Sequence, residues 1–348
     1  MHTYAQKNRN FSETARGLKR AKVRRMTRNS TKGIREYIIG ADIGGTFCKL
    51  GLFNGEGELF DKWKIPTARN DEGDVRDAER NMKVFDDLAE SIEKQLTQHN
   101  ICKNEIIGMG VGVPGPVNLE GVIDNCPALG WKNLNIPKIL QKKLGIKISC
   151  GNDANLAALG ESWRGFDRAY NDAIFITLGT GVGGGIICNG KIHRGAHGCG
   201  GEIGHIKVNP HETEIDGCGG RGCLQQYASA TGIIRLAEKL GQGREKITAK
   251  DIFQRAKAGD ELAIEVIEQF GEILGRTLAG ICLVFDPEVV IIGGGISAAG
   301  EALVDVVRKH YRNWAYPPTK DMEFKLASLG NDAGIYGCAK LVLEQKGD

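Results

Sequence analysis

The sequence predicts an α/β protein made of two similar halves. Two glycine-rich hairpins share one grammar, each is followed by segments of helical period and a buried-looking strand, and Asn-Asp-Ala occurs once per half, at Asn152–Ala154 and Asn331–Ala333. A duplicated unit is the simplest source of this pattern. The first hairpin reads Tyr37-Ile-Ile-Gly-Ala-Asp42-Ile-Gly44-Gly45-Thr46 and continues Phe47-Cys-Lys49-Leu-Gly-Leu-Phe53. β-Branched and aromatic residues on both sides of a glycine turn predict strand, tight turn, strand. The second runs from Ala173 through Leu178-Gly179-Thr180-Gly181 and on to Cys188 in the same way.

Between the hairpins, Val84, Leu88, Ile92 and Leu96 form one helical stripe and Ile106–Val113 an apolar strand. Pro137 in a first turn and Gly145 as a stop delimit a short helix before a strand at 146–150. Gly151-Asn152-Asp153 then opens a helix through Leu159 and Glu161. Further on, residues 262–285 read as a long buried helix, 288–292 as a strand, Gly293-Gly294-Gly295 as a turn into another helix, and Gly330-Asn331-Asp332-Ala333 as the start of the last.

With 348 residues, 41% of them hydrophobic, the chain can bury one large core or two medium ones. Its apolar runs fall far short of the ~20 residues of a membrane span, and no signal-peptide pattern sits near Met1, so a soluble cytoplasmic protein is expected. The ten cysteines are scattered, with only Cys218 and Cys223 close together in a glycine-rich loop, which suggests reduced thiols and one metal site. Residues 1–36 hold eleven Lys and Arg against Glu13 and Glu36, so the formal +3 of the chain hides a net negative remainder. That remainder argues against a nucleic-acid-binding core. The basic stretch has no apolar period and reads as a disordered extension, or as sequence ahead of a true start at Met26.

An Asp-x-Gly-Gly-Thr turn between strands brings backbone N–H groups to one side, where no Cβ blocks a phosphate. Asp42 at the strand end can orient Mg²⁺ through water. One such turn is weak; two are specific. They are not P-loops, since no Gly-Lys-Ser/Thr follows, nor dinucleotide fingerprints, since a strand and not a helix follows. Asp153, between a strand and a helix, has two readings, a helix cap or a carboxylate that accepts a substrate hydroxyl's proton. Asp332, without polar company, reads as a cap.

The paired hairpins, the Asn-Asp-Ala helix starts and Val289-Val-Ile-Ile-Gly-Gly-Gly295 resemble the actin, sugar kinase and Hsp70 ATPase superfamily. Gly201-Glu202-Ile-Gly204-His205 with the Cys/Gly loop after it is similar to the ROK family of sugar kinases and repressors, over about Tyr37 to the C-terminus. Asn125-Cys-Pro127-Ala-Leu-Gly-Trp131 and Ala228-Ser-Ala-Thr-Gly-Ile233 look most like its bacterial glucokinases. The resemblance implies two ribonuclease H-like lobes, an actin-like ATPase fold, with the active site in the cleft between them. On that basis residues 37–150 with 331–348 form one lobe and 151–330 the other.

The implied activity is transfer of the ATP γ-phosphate to a hexose, glucose before N-acetylmannosamine or fructose, with Asp153 as general base. Asn125, Asn152, Glu202 and His205 match sugar-contacting positions. Gln225 stands where the family usually has a Glu; it can still bond a hydroxyl but carries no charge. Asp42, Gly44, Gly45, Thr46, Lys49, Thr180, Gly181, Gly294 and Gly295 fall to the nucleotide and its Mg²⁺. His205, Cys218 and Cys223 match three of four structural zinc ligands, and Asp216 stands where the family's first Cys would be; the alternatives are His211 as fourth ligand or a loop that has lost its metal. The partners implied are sugar, ATP and further copies of the chain in a homodimer or higher homo-oligomer, with no membrane and no nucleic acid. A repressor would need a helix-turn-helix module, for which residues 1–36 are too few and too irregular. A non-catalytic sugar sensor fits poorly with intact Asp42, Asp153 and both turns, and a filament protein fits poorly with the sugar motif.

Overall fold

The computed structural model describes residues 36–68, 78–126, 129–241 and 247–346, so the basic stretch 1–35 and Pro127–Ala128 of the glucokinase-like segment lie outside the described residues. The chain starts with a meander, β1 (Tyr37–Ile43), β2 (Phe47–Asn54) and β3 (Leu59–Pro66), followed by α1 (Ala78–His99) and β4 (Ile106–Val113). A small ribbon of β5 (Val122–Cys126) and β6 (Trp131–Asn135) leads to α2 (Ile136–Leu144), β7 (Ile148–Asn152) and α3 (Asp153–Arg164). The second half gives β8 (Ala173–Leu178), β9 (Val182–Cys188), β10 (Lys191–Ile192), α4 (Ala230–Lys239), α5 (Ala249–Lys257), α6 (Glu261–Phe285), β11 (Val289–Gly293), α7 (Glu301–Trp314), β12 (Glu323–Leu326) and α8 (Ala333–Glu344).

The two five-stranded sheets have one topology. Their orders are β3-β2-β1-β4-β7 and β10-β9-β8-β11-β12, and in each the meander pairs antiparallel while the last two strands join parallel. Val84, Leu88, Ile92 and Leu96 of α1 are buried against the first sheet together with Trp131, whose ring lies 5.1 Å from that of Phe85. The strand expected at 146–150 is displaced to Ile148–Asn152, because the parallel register with β4 places Asn152 opposite Val113. Asn152 therefore ends a strand and caps a helix at once.

α6 departs from the expectation of a buried helix. Its stripe of Val266, Phe270, Leu274, Leu278 and Cys282 is buried, but Leu262, Leu283 and Val284 are exposed, so it covers the second sheet by one face. α8 crosses back, packing on β1 and β4 of the first sheet and on α3. That crossing requires glycine, since a Cβ at Gly337 would sit 1.7 Å from the Leu156 carbonyl oxygen. Among the described residues no helix is long and apolar enough to cross a membrane.

Candidate active site

The ends of β1 and β7 and the start of α8 meet at a cleft of about 380 Å³ walled in part by Asp42, Lys49, Asp153 and Gly293–Gly295. Asp42 is the sixth residue of β1. It accepts from Lys49 Nζ at 3.2 Å, and a Cβ at Gly334 would come within 2.9 Å of its Cγ, so α8 begins against this carboxylate. The turn beyond it is laced from the residue after β3, with Thr67 Oγ1 donating to the Gly44 carbonyl at 2.7 Å and Thr67 N–H to the Thr46 carbonyl at 2.9 Å. The second turn is held from α4: Ala230 N–H donates to the Gly179 carbonyl and Thr231 Oγ1 to that of Thr180, both at 2.8 Å. Of the residues assigned to the nucleotide, Asp42, Lys49, Gly294 and Gly295 line the cleft, whereas Gly44, Gly45, Thr46, Thr180 and Gly181 belong to the turns and not to this wall.

The two readings of Asp153 separate on its neighbour. Asn152 is the cap of α3: its Oδ1 accepts from Asn155 N–H at 2.9 Å, and its Nδ2 donates to the Gly115 carbonyl at 3.1 Å. Asp153 accepts from the adjacent Ala154 N–H, at 2.8 Å, and its own N–H is also directed at the carboxylate. Burial pushes its carboxyl up to about 6; the charge of Asp42 adds to this, the Ala154 N–H opposes it, and Glu202 raises it further. Two other carboxylates, Asp42 at the end of β1 and Glu202 on the loop after β10, are thus near enough for their charges to act on Asp153. At Asp332 the expected cap is not made. No side-chain cap bond forms at α8, and the carboxylate pairs with Lys62 instead.

Glu202 and His205 sit on a tight turn seated on β9. A Cβ at Gly204 would lie 2.1 Å from the Val182 carbonyl oxygen, so only glycine allows that approach. Burial raises the Glu202 carboxyl, opposed by the His205 ring, whose Nε2 is 3.7 Å from Glu202 Oε2. Asn155 is a further site residue that the sequence reading passed over. It is buried in α3 and, with its amide nitrogen toward them, donates to the Gly184 and Gly200 carbonyls at 3.2 Å each, tying the Glu202 loop to the helix that begins with Asp153. A polar amide at helical spacing from Ala158 and Leu159 was the available signal. Asn125 lies exposed on β5, its carbonyl beside Gly115, the residue that Asn152 binds.

His205, Asp216, Cys218 and Cys223 bring one donor atom each within 4.8 Å of one another, and His211 is not in that group. The two sulfurs are 3.8 Å apart. Two zinc-bound thiolates, at about 2.3 Å and tetrahedral angles, would stand roughly 3.8 Å apart as well, so the set fits that ion. Asp216 is fixed by the N–H groups of Cys218 (2.9 Å) and Gly220 (3.1 Å) at Oδ1, and by Gln225 Nε2 (3.0 Å) at Oδ2. Although burial opposes it, hydrogen bonds from Cys218, Cys223 and Gln225 hold its carboxyl well below the usual range. Lys207 Nζ lies 2.9 Å from Cys223 Sγ, a cation beside the anionic donor set that the sequence reading also missed. Gln225 is therefore turned to Asp216 by its nitrogen, while its Oε1 lies 3.3 Å from where a Gly181 Cβ would stand.

Two sheets of one topology around a carboxylate-bearing cleft define the actin-like ATPase fold, and the comparisons narrow it. The ROK family model matches residues 38–345. A glucokinase of Halalkalibacterium halodurans is 38% identical over 324 residues, covering 89% of this chain and 96% of that protein. Among solved structures, a ROK family glucokinase from Streptomyces griseus in complex with glucose and AMPPNP has a TM-score of 0.69 at 31% identity, over 88% of this chain and 98% of that one. The ROK hexokinase of Thermus thermophilus has a TM-score of 0.74 at 31% identity, over 90% and 100%. The chain belongs to the ROK family.

Proposed function

We propose that this protein is an ATP-dependent glucokinase that converts glucose to glucose 6-phosphate. The observation that carries the proposal is Asp153, relieved of capping by Asn152, desolvated at a cleft that it shares with Asp42, and within reach of the Glu202 charge. The glucokinase relatives and the glucose–AMPPNP complex of a similar chain support the choice of acceptor and donor.

In this reading Asn125, Asn152, Glu202, His205 and Gln225 hold the hexose, and the two turns with Lys49, Gly294 and Gly295 hold the nucleotide. The reacting hydroxyl donates to Asp153, whose carboxylate takes its proton as the oxygen bonds to the γ-phosphorus and the bond to the β–γ bridging oxygen breaks, releasing ADP. With a carboxyl near 6, Asp153 is mostly ionised at neutral pH yet basic enough to share the proton in the transition state. Asp42 would hold Mg²⁺ through water, and the ion, when bound, neutralises charge developing on the phosphates. His205, Asp216, Cys218 and Cys223 would hold a structural zinc that fixes the His205 ring toward the sugar. Lobes comprising 37–150 with 331–348, and 151–330, a cytoplasmic location and a homo-oligomeric state belong to the same proposal. The test is a coupled assay over a panel of hexoses with ATP and magnesium: glucose should give the highest kcat/KM, and no turnover with any hexose would refute the assignment.

A further inference from the structure

We propose that Glu161 is a positioning residue for the nucleotide side of the cleft, holding the crossover from β12 to α8 in its working place; this rests on the kinase reading above. Glu161 lies two turns beyond Asp153 on α3 and is fully buried. Its Oε2 accepts from Ser328 N–H at 3.0 Å and its Oε1 from Leu329 N–H at 2.8 Å, with the Ser328 hydroxyl at 3.4 Å from Oε2 and the Gly330 N–H also directed at the carboxylate. Among the described residues no cation pairs with it. Consecutive backbone N–H groups form an anion-binding concavity, and here a side chain of the protein fills it. The space is fitted to that carboxylate: a Cβ at Gly165 would come 2.2 Å from Glu161 Oε2.

A buried carboxylate without a cation is costly unless fully hydrogen-bonded, so the arrangement serves the shape of the loop better than it serves stability. That loop matters because Ala327, Gly330 and Asn331 wall the same cleft as Gly294 and Gly295, and α8, which starts just after it, begins against Asp42. Glu161 itself reaches the cleft wall. Helix α3 thereby carries Asp153 at its start and the loop's anchor two turns later, fixing the proposed base and the nucleotide wall in one rigid element.

The experiment compares full-length Glu161→Gln with the wild type by steady-state kinetics with glucose and ATP, by calorimetric titration of Mg–ATP without sugar, and by thermal melting. The substituted amide would keep one acceptor oxygen and point an N–H₂ at backbone donors. The expected result is a rise in KM for ATP, and in the Kd for Mg–ATP, on the order of tenfold, with KM for glucose within about twofold. A lower melting temperature with KM and Kd for ATP unchanged overturns the proposal and leaves Glu161 a packing residue. Should Glu161→Gln fail to fold, Glu161→Asp, whose shorter carboxylate cannot reach both N–H groups, is held to the same criteria. If the wild type phosphorylates no hexose the kinase reading fails, while the Mg–ATP titration still decides the role of Glu161.

Discussion

The two halves use the same tripeptide in equivalent places and for different ends. In the first half β7 runs directly into α3, so Asn152 keeps extended geometry (φ −64°, ψ 140°) and its side chain folds over the helix start. Asp153 is left with a desolvated, nearly unpartnered carboxylate. In the second half a one-turn 3₁₀ segment, Gly330–Asp332, precedes α8, and Asp332 sits at φ −95°, ψ −9°. A cap residue needs extended backbone to reach the second or third helical N–H, and Asp332 lacks it. Its carboxylate turns outward to Lys62, while Asn331 faces the cleft. A duplicated fold thus supplies two helix starts, and the local backbone decides which carboxylate pairs with a lysine and which is left at the cleft without one.

The sharpest way to break this comparison is to remove each carboxylate in turn. Asp153→Asn should lower kcat by roughly 10²–10⁴ with modest changes in KM, whereas Asp332→Asn should leave kcat within a few-fold. Equal losses in steady-state assays, or wild-type turnover of Asp153→Asn with any hexose, would end the distinction.

Next in size is the metal loop. Purified protein should hold about one zinc per chain by elemental analysis, and Asp216→Ala should lose most of it on dialysis against a chelator. Gln225→Glu would set a carboxylate against Asp216 and should weaken zinc by about 10–100-fold, as changes beside metal ligands do. Zinc affinity unmoved by both would show that Asp216 is not a ligand.

A third test is pH. Below about pH 6 Asp153 takes up a proton and cannot accept another, so kcat/KM should fall toward acid with an apparent pKa near 6. A flat profile between pH 5 and about 8 contradicts the base assignment.

The smallest effect is on stability, and its sign separates base from cap. Because folding raises the Asp153 pKa, the folded state binds its proton more tightly, and stability from this group is present at acid pH and lost as pH rises from about 4 through 6. Asp153→Asn should therefore stabilise the protein at neutral pH by on the order of 2 kcal/mol, with the gain absent near pH 4. Unchanged stability at neutral pH in thermal melts would return Asp153 to a capping role, since Asn caps a helix as well as Asp does. At the exposed Lys62–Asp332 pair, substitution of either residue should leave the melting temperature nearly unchanged.

Much of the fold could be read along the chain because its signals are local. Glycine turns between β-branched runs located both hairpins, the Val84–Leu96 stripe located α1, and Pro137 with Gly145 bounded α2 nearly to the residue. Spacing in the sequence marked only Cys218 and Cys223; His205 and Asp216 joined them through the resemblance to the ROK family, and the structure brings one donor atom of each of the four within 4.8 Å of the others. The exposed face of α6 was not readable in the same way, because a helix apolar on most sides does not reveal which side meets a sheet.

The sequence by itself determined the strand–turn–strand units, their duplication, and the set of residue types available for phosphate, sugar and metal. Tertiary structure alone decided how they are used. It buried the Asp153 carboxyl within reach of the charges of Asp42 and Glu202, turned Gln225 toward Asp216, brought Lys207 to Cys223, and set Glu161 under the 328–330 loop. The partners of Glu161 lie 167 and 168 residues away, and burial and charge of this kind act only once the chain has closed on itself.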